Sequence, residues 1–341
     1  MERIEKMKKR LNVLYQSSDL YAPFAGVSIT ALFENNVEID ELVVYLINVG
    51  ISEENIKKFQ QLEKMYGREI IFIDAAEAIE ELKDMGIPTY HGSYATYLKL
   101  FVLDKLPEDV DKIMYIDSDT VVTGSLAELC DLDMGQNMVG GIRGCLTGKY
   151  KKELGCKPEE SWYNLGVALF NVKQWKEKGA TKQIQNHLHT VRANYAVADQ
   201  DLINVLYHNQ YMTLSPKYNL QSIHLAYSVK TYFRNFPRKG YYSEKELSEA
   251  IQNPSIVHLM RFVGEYPWHK NNAHPCNELF DYWLKRSLWK DYEKEPADNG
   301  MVLKIEKSMY KCLPRPVFLK IFRMMNNLVL WKDNYKAQRN K

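Results

Sequence analysis

Two aspartates separated by one residue, Asp117 and Asp119, form the pattern in this sequence that most directly suggests chemistry. They follow an apolar run at residues 113–116, which is typical of a buried strand. Side chains two positions apart in extended backbone point the same way, so both carboxylates would face one cavity at the strand end. Two anions this close repel each other unless a cation lies between them. The pair therefore predicts a Mg²⁺ or Mn²⁺ site that also holds substrate phosphate, although aspartates that only cap the next helix would leave the same pattern.

Alternating strand and helix patterns surround this pair. Apolar runs predict strands at residues 11–17, 42–47, 69–74, 112–117, 165–172 and 255–259. Helical periodicity predicts helices at residues 24–33, 52–66, 75–85, 95–103, 174–192 and 201–208, with Ser52 as an N-cap and Gly67 as a stop. Strands that alternate with helices predict an α/β fold with a Rossmann-like, mostly parallel sheet and helices on both faces.

Composition narrows the class of protein. The chain has 341 residues, 45% hydrophobic and 26% charged, which is normal for a globular protein with a sizeable core. Its five cysteines are an odd number and none are at CxxC spacing, which argues against a disulfide framework and a zinc cluster. With no apolar run long enough for a membrane span and no secretory signal, we expect a cytoplasmic protein.

The last 41 residues differ in charge from the rest. Residues 301–341 hold ten of the 45 Lys and Arg but only two of the 43 Asp and Glu, so the remainder is net acidic and a poor nucleic-acid binder. We expect a catalytic domain at residues 1–295 and a basic amphipathic tail at 296–341, with one helix at 317–331. That helix suits the inner face of an anionic plasma membrane, and the alternative is a helix docked on the body of the protein.

Several ordered blocks resemble glycosyltransferase family 8, which includes glycogenin and bacterial lipopolysaccharide galactosyl- and glucosyltransferases. The longest block runs from Thr96 through Asp117 and Asp119 to Leu126. The others are Tyr15-Gln16-Ser17-Ser18-Asp19-Leu20-Tyr21, Tyr163-Asn164-Leu165-Gly166-Val167, Ala198-Asp199-Gln200-Asp201-Leu202-Ile203-Asn204 and His258 … Gly264 … Pro267-Trp268. The resemblance covers roughly residues 11–290 and implies the GT-A type fold of nucleotide-diphospho-sugar transferases.

The resemblance also implies a metal site and a donor site. Its metal ligands would be Asp117, Asp119 and His258, and an imidazole beside two carboxylates suits Mn²⁺ better than Mg²⁺. Without the surrounding block, His258 would be interpreted as a buried structural histidine. The residues expected to bind the donor sugar, whose hydroxyls suit amide and carboxylate groups, are Asn164, Asp199, Gln200 and Lys99. Those expected to contact the nucleotide are Ser17, Ser18, Tyr21, Asp117, Ser118 and Lys270, although Tyr21 could equally be a core residue.

The implied chemistry retains the configuration of the anomeric carbon. No residue is plainly a nucleophile, so we expect the acceptor to attack from the face that the diphosphate leaves. Gln200 would then lie below the sugar ring as an electrostatic partner, and Asp199 is the alternative nucleophile. Asp201 is expected to cap the helix that follows it.

The end signature departs from the family pattern. Tyr266 stands where the family usually has a lysine that steadies the leaving diphosphate, and the spacing from His258 to Gly264 is longer than usual. Arg261 or Lys270 could supply that charge instead.

The sequence thus predicts a metal-dependent, retaining transferase that moves glucose or galactose from a UDP-sugar to a glycan or a lipid-linked glycan, such as lipopolysaccharide or capsular polysaccharide. Two alternatives remain. A haloacid-dehalogenase-type phosphatase would use Asp117 as nucleophile and Asp119 as acid and base. In that class of enzyme, however, the motif lies near the start of the domain. An inactive, membrane-bound scaffold with a transferase fold is the second alternative.

Overall fold

The structure, a computed structural model, describes residues 8–87, 89–90, 92–191, 195–236, 239–297 and 300–339. Its strands are β1 Arg10–Ser17, β2 Glu41–Asn48, β3 Glu69–Asp74, β4 Lys112–Ile116, β5 Thr120–Val122, β6 Val139–Gly144, β7 Trp162–Asn171, β8 Tyr211–Thr213, β9 Leu220–Gln221, β10 Ile256–His258, β11 His269–Lys270 and β12 Glu295–Pro296. Its α-helices are α1 Ala22–Glu34, α2 Glu53–Tyr66, α3 Ala76–Asp84, α4 Ala95–Val102, α5 Gly148–Glu153, α6 Val172–Glu177, α7 Ala180–Val191, α8 Ala198–Tyr207, α9 Ser222–Ala226, α10 Val229–Asn235, α11 Glu244–Gln252, α12 Asn277–Arg286, α13 Met301–Cys312 and α14 Arg315–Arg339.

The main sheet has the strand order β3-β2-β1-β4-β7-β6-β8. Strands β3, β2, β1 and β4 run parallel, and β7 runs antiparallel to both β4 and β6. Because β1 and β4 are parallel neighbours, their carboxyl ends meet at one edge of the sheet, where open α/β sheets bind ligands. The predicted α/β fold with a mostly parallel sheet is confirmed.

Both faces of this sheet are buried, which explains the near-continuous apolar runs. In β1, Val13 and Tyr15 belong to the hydrophobic cluster on one face, whereas Leu14 belongs to the cluster on the other. Successive side chains of a strand point to opposite faces, so helices must cover both. The buried helix α1 covers the first face, and α4 and α7 contribute to the second.

A smaller sheet with the order β5-β10-β9 lies next to the end of β4. In it β10 pairs antiparallel with β5, with His258 opposite Thr120. Since β5 begins directly after Asp119, this pairing brings residues that are far apart in sequence to the carboxyl end of β4.

Local signals placed several helix ends correctly. The Ser52 hydroxyl accepts a hydrogen bond from the backbone N–H of Asn55, and Gly67 ends α2 with a φ of 60°. The predicted helix at 174–192 was wrong as one element, because left-handed Gly179 separates α6 from α7; Arg192 lies outside the described residues. Helix α8 begins three residues before the predicted start at Asp201.

The C-terminal helices pack against the body through one apolar cluster. Phe318 and Leu319 of α14 are buried with Tyr227, Phe262 and Val263. The predicted helix at 317–331 lies within α14. These contacts join residues on both sides of the predicted domain boundary at residue 295. The boundary itself stays a prediction. Among the described residues, every helix is too short or too polar to cross a membrane.

Candidate active site

Asp117 and Asp119 lie where β4 leaves the main sheet. The backbone N–H of Asp117 donates to the carbonyl of Gly166 in β7, at 2.8 Å. The hydroxyl of Ser118 donates to the carbonyl of Gln16 in β1, also across the edge of the sheet, at 2.5 Å. The strand end is thus fastened on both sides, with the two carboxylates on either side of the buried Ser118.

His258 joins the two aspartates from the smaller sheet. Its Nε2 atom lies 3.2 Å from Oδ1 of Asp119 and 3.8 Å from Oδ2 of Asp117. The backbone N–H of Leu259 donates to the carbonyl of Asp119 at 2.8 Å, which fixes this register. One ligand atom from each of the three side chains lies within 4.8 Å of the others, so the structure brings the predicted metal ligands together.

Gly166 provides the space in which these three side chains meet. A Cβ atom at this position would lie 2.4 Å from Cε1 of His258 and 2.6 Å from Oδ2 of Asp117. Contacts this short are excluded sterically, so any larger residue would push the imidazole or the carboxylate away. The Asn-x-Gly motif therefore has a steric reason for its glycine.

A set of hydrogen bonds fixes the tautomer of the neutral imidazole. The backbone N–H of Gly166 donates to Oδ1 of Asn164 at 3.0 Å, and Nδ2 of Asn219 donates to the same oxygen at 2.7 Å. The Oδ1 atom of Asn219 then faces Nδ1 of His258 at 3.0 Å and accepts its N–H. A neutral His258 consequently directs the lone pair of Nε2 toward the two carboxylates. Three lone-pair donors aimed at one point fit a divalent cation.

The electrostatics of the site support the same conclusion. Burial raises the pKa of the Asp117 carboxyl to about 6, against the effect of the nearby Lys99 ammonium. Burial also opposes ionisation of Asp119 and protonation of His258, but their mutual attraction outweighs it, lowering the pKa of Asp119 and raising that of His258. The cluster thus favours a positive charge at its centre, which a proton or a metal ion can supply.

Lys99 and Asp199 form a buried ion pair beside the cluster. The Nζ atom of Lys99 lies 2.8 Å from Oδ2 of Asp199 and 4.1 Å from the ring centre of Tyr115. The hydroxyl of Tyr115 donates in turn to Oδ1 of Asp117 at 2.6 Å. Lys99 therefore lies between Asp199, another predicted sugar-binding residue, and Tyr115, which bonds the predicted metal ligand Asp117.

Asn164 and Gln200, both predicted to bind the donor sugar, are also in contact. Nδ2 of Asn164 donates to Oε1 of Gln200 at 2.9 Å. Asp201 is buried in the first turn of α8, where its carboxylate accepts the backbone N–H of Val197 and the hydroxyl of Tyr150. Asp201 thus satisfies a donor at the helix start, although from inside the helix rather than from the N-cap position.

The predicted nucleotide residues are distributed around the edge of the sheet. The hydroxyl of Ser17 donates to the carbonyl of Ser18 in the turn after β1. Tyr21, partly exposed at the start of α1, is close enough to the cluster that burial, together with the charges of Asp119 and Asp117, raises its pKa. Lys270 is exposed on β11, which pairs with β12.

Tyr266 belongs to a stack of aromatic rings. It stacks on Trp268 with ring centres 4.5 Å apart, and Trp268 stacks on Phe24 at 4.1 Å. The phenol of Tyr266 has its pKa raised to about 12 by burial and by Asp119, and the charge of Arg261 acts against this rise. Arg261 is therefore the candidate cation whose charge acts on Tyr266.

Sequence reasoning missed Asn219 and Tyr115. Asn219 ends a short 3-10 helix, and nothing in its neighbourhood in the sequence indicates a role. Tyr115 occupies a buried position of an apolar strand, where an aromatic residue is usually core.

The fold and the site are those of a glycosyltransferase of the GT-A type. The sequence profile of glycosyl transferase family 8 matches residues 12–272. The chain belongs to this family and is a glycosyltransferase.

Several relatives are similar to most of the chain. Lipopolysaccharide 1,2-glucosyltransferase of Escherichia coli is 26% identical over 87% of this chain and 83% of its own length. Lipopolysaccharide 1,3-galactosyltransferase of Salmonella typhimurium is 23% identical over 82% and 79%. General stress protein A of Bacillus subtilis is 24% identical over 82% and 94%. A crystal structure of an active-site mutant of LgtC superposes with a TM-score of 0.69 at 23% identity, covering 82% of this chain and 96% of LgtC, which shows the shared fold.

Proposed function

We propose that this glycosyltransferase moves a hexose, glucose or galactose, from a UDP-sugar to a glycan or lipid-linked glycan acceptor, such as lipopolysaccharide or capsular polysaccharide. The observation that carries the proposal is the convergence of Asp117, Asp119 and His258 in the space left by Gly166. A hard cation with a nitrogen ligand fits this donor set, so Mn²⁺ is the proposed metal and Mg²⁺ the second choice.

Asp117, Asp119 and His258 would hold the metal, which when bound neutralises charge on the leaving diphosphate as a Lewis acid. The fixed tautomer of His258 keeps its Nε2 lone pair ready for coordination. Tyr115 holds the Asp117 carboxylate in place, so little rearrangement is needed when the donor binds. Ser17, Ser18, Tyr21 and Ser118 are the proposed nucleotide contacts on the same sheet edge.

Asn164, Gln200, Asp199 and Lys99 form the proposed wall for the donor sugar. The Gln200 amide is half-buried and has capacity for further hydrogen bonds. Asp199, in contrast, is buried and paired with Lys99, so its carboxylate is already neutralised. This pairing supports Gln200 as the electrostatic partner of the reacting sugar and acceptor attack from the leaving-group face, with retention of configuration.

The test is a screen of UDP-sugars with Mn²⁺, read as release of UDP and as transfer to oligosaccharide or lipid-linked acceptors. Chelation should abolish release, and added Mn²⁺ should restore it. Asp119→Ala should lose turnover with its circular dichroism unchanged, whereas Asp131→Ala, at an exposed aspartate outside the site, should keep it. Full turnover in chelator would contradict the metal site.

The two alternative interpretations differ in what this screen would give. Membership of family 8 excludes the phosphatase. Three strands, β1, β2 and β3, also precede the aspartate pair, whereas the phosphatase would have this motif near the start of its domain. An inactive scaffold would release no UDP with any donor. The hydrogen-bonded arrangement of Asn164, Asn219 and His258 supports an active enzyme, since a scaffold has no need of it.

We further propose that α14 attaches the enzyme to the anionic inner face of the plasma membrane. Beyond its docked residues, α14 exposes a set of apolar side chains: Met324, Met325, Leu328, Val329, Trp331 and Tyr335. Lys320 and Lys332 are exposed on the same helix. Apolar and basic side chains together are typical of an interfacial helix, with about 1 kcal/mol from each basic residue near anionic lipid.

Sedimentation with anionic vesicles tests this attachment. The full chain should pellet and be released by salt, whereas Met325→Glu with Val329→Glu should leave it in solution. Val37→Glu, at an exposed apolar residue of the body, is the matched control and should still pellet. Equal pelleting of all three proteins would show that α14 is not the attachment.

A further inference from the structure

The turn between the metal ligand His258 and the Tyr266 stack has a strained backbone. Val263 and Gly264 both have positive φ, at 49° and 75°. The backbone groups of Phe262 and Glu265 close the turn with two hydrogen bonds of 2.8 and 3.0 Å. Valine is β-branched and avoids this region, so the conformation persists only if surrounding contacts enforce it.

The C-terminal helices supply those contacts. Leu303 of α13 packs on Gly264 so closely that a Cβ atom there would lie 2.5 Å from Cδ2 of Leu303. Phe262 and Val263 are buried with Phe318 and Leu319 of α14. The supposed tail therefore covers this turn with its apolar side chains.

An ion pair fastens the same turn to α13. The Nζ atom of Lys307 lies 2.5 Å from Oε1 of Glu265, whose side chain is buried. Burying a carboxylate without a cation costs free energy. The ion pair with Glu265 therefore gives Lys307 a specific structural role. Glu306, one residue earlier, faces the charges of both Arg261 and Lys307.

The turn lies between His258, a proposed metal ligand, and Tyr266. It begins four residues after His258, and Leu259 is still bound to the Asp119 carbonyl. It is followed directly by Tyr266, which stacks on Trp268 and is influenced by the charge of Asp119. A shift of the turn would move Arg261 and Tyr266 together relative to the metal ligands.

We propose that Leu303 and Lys307 are positioning residues, through which α13 holds Arg261 and Tyr266 in place for the donor diphosphate. The proposal rests on the proposed UDP-sugar function and extends it, because it makes residues 301–319 part of the donor site. Any membrane attachment through the outer half of α14 would then be joined directly to this site.

The test uses the full chain with Lys307→Met and Leu303→Ala, measured by UDP titration with Mn²⁺ and by hydrogen exchange of backbone amides. Because losing one hydrogen bond to a charged group costs about tenfold in affinity or more, each variant should weaken UDP binding by about tenfold or more. Exchange at Phe262 and Glu265 should accelerate, whereas Leu259 and the binding of Mn²⁺ alone, followed by electron paramagnetic resonance, should change little.

Matched controls lie on the same helix. Lys304→Met removes an equal charge and Ile305→Ala an equal apolar side chain, both from the exposed face, so both should behave as wild type. Lys307→Arg keeps the ion pair and should restore UDP binding. Melting temperatures separate a positioning role from lost stability. A merely structural role would lower the melting temperature without changing the UDP affinity measured well below that temperature.

Two results would overturn the proposal. Unchanged exchange at Phe262 and Glu265 in both variants would show that α13 does not hold the turn. Faster exchange with wild-type UDP affinity would show that the turn does not serve the donor, while leaving the proposed function intact. A wild-type chain that binds no UDP would instead contradict the proposed function, and the donor part of this inference with it.

Discussion

The Nδ1 atom of His258 lies 3.0 Å from the Oδ1 atom of Asn219, two residues separated by 39 positions in the chain. Because Asn219 receives its orientation from Asn164, this contact determines which imidazole nitrogen is free to bind a metal. Loss of such a partner typically weakens metal binding by about 10- to 100-fold.

Asn219→Ala should therefore weaken Mn²⁺ binding by that factor, measured by calorimetry on the chelator-treated protein. Asn209→Ala is the matched control, since Asn209 also bonds a histidine, His208, but at the exposed end of α8. If both variants bound Mn²⁺ like the wild type, the contact with Asn219 would have no part in ligand geometry.

Gly166→Ala should abolish metal-dependent turnover, because its methyl group would occupy the space of the His258 ring and the Asp117 carboxylate. We expect Mn²⁺ binding to fall by about 100-fold, the upper end of what loss of a group that orients a ligand costs, with a modest change in melting temperature. Gly144→Ala is the control, since a Cβ there meets its nearest neighbour at 3.7 Å. A Gly166→Ala protein with normal Mn²⁺ affinity would disprove the steric argument.

Gln200→Ala should slow transfer by about 100-fold or more, as for loss of a group that stabilises a transition state, while UDP still binds with Mn²⁺. Transfer is measured by single turnover and UDP binding by calorimetry. The exposed Gln61 offers a control in Gln61→Ala. Two results together would instead identify Asp199 as the nucleophile. Gln200→Ala would transfer the sugar at an unimpaired rate, and azide would restore the activity of Asp199→Gly.

Arg261→Met and Lys270→Met separate the two candidates for the missing family lysine. Since the charges of both Arg261 and Asp119 act on Tyr266, we expect Arg261→Met to weaken UDP binding about tenfold and uridine binding very little. Lys270→Met should then resemble wild type. The reverse result would assign the diphosphate contact to Lys270, and no effect of either would leave the diphosphate to the metal alone.

Acid should destabilise the fold through His224. Burial lowers its pKa from 6.5 to about 3, and its Nδ1 accepts the backbone N–H of Gln221 while Nε2 meets the hydroxyl of Tyr241. The unfolded chain binds this proton more tightly, so the stabilisation is complete above pH 6.5 and is lost as the pH falls toward 3.

Between pH 6 and pH 4.5 this histidine should contribute a slope of about 1.4 kcal/mol per pH unit to the free energy of unfolding. Urea unfolding followed by tryptophan fluorescence measures it. His224→Gln should remove that contribution, whereas His189→Gln, at an exposed position of α7, should keep the wild-type slope. Equal slopes in all three proteins would show that other groups control acid stability.

The sequence by itself determined the features that depend on neighbours along the chain. The apolar run before Asp117 and Asp119 predicted a strand with two carboxylates at its end, because side-chain direction in a strand follows from spacing alone. The cap at Ser52 and the stop at Gly67 were equally local. The family resemblance added His258, Asn164 and Gln200, which the structure brings into one hydrogen-bonded set.

The tertiary structure alone decided what depends on strand register and on packing between distant segments. Asn219 meets His258 only because β9 and β10 pair beside the end of β4, a relationship that no local pattern records. Leu303 contacts Gly264 because α13 packs over the turn. The basic charge of residues 301–341 had instead predicted a separate tail. Such contacts come from the arrangement of whole elements, so residue type and spacing could not have predicted them.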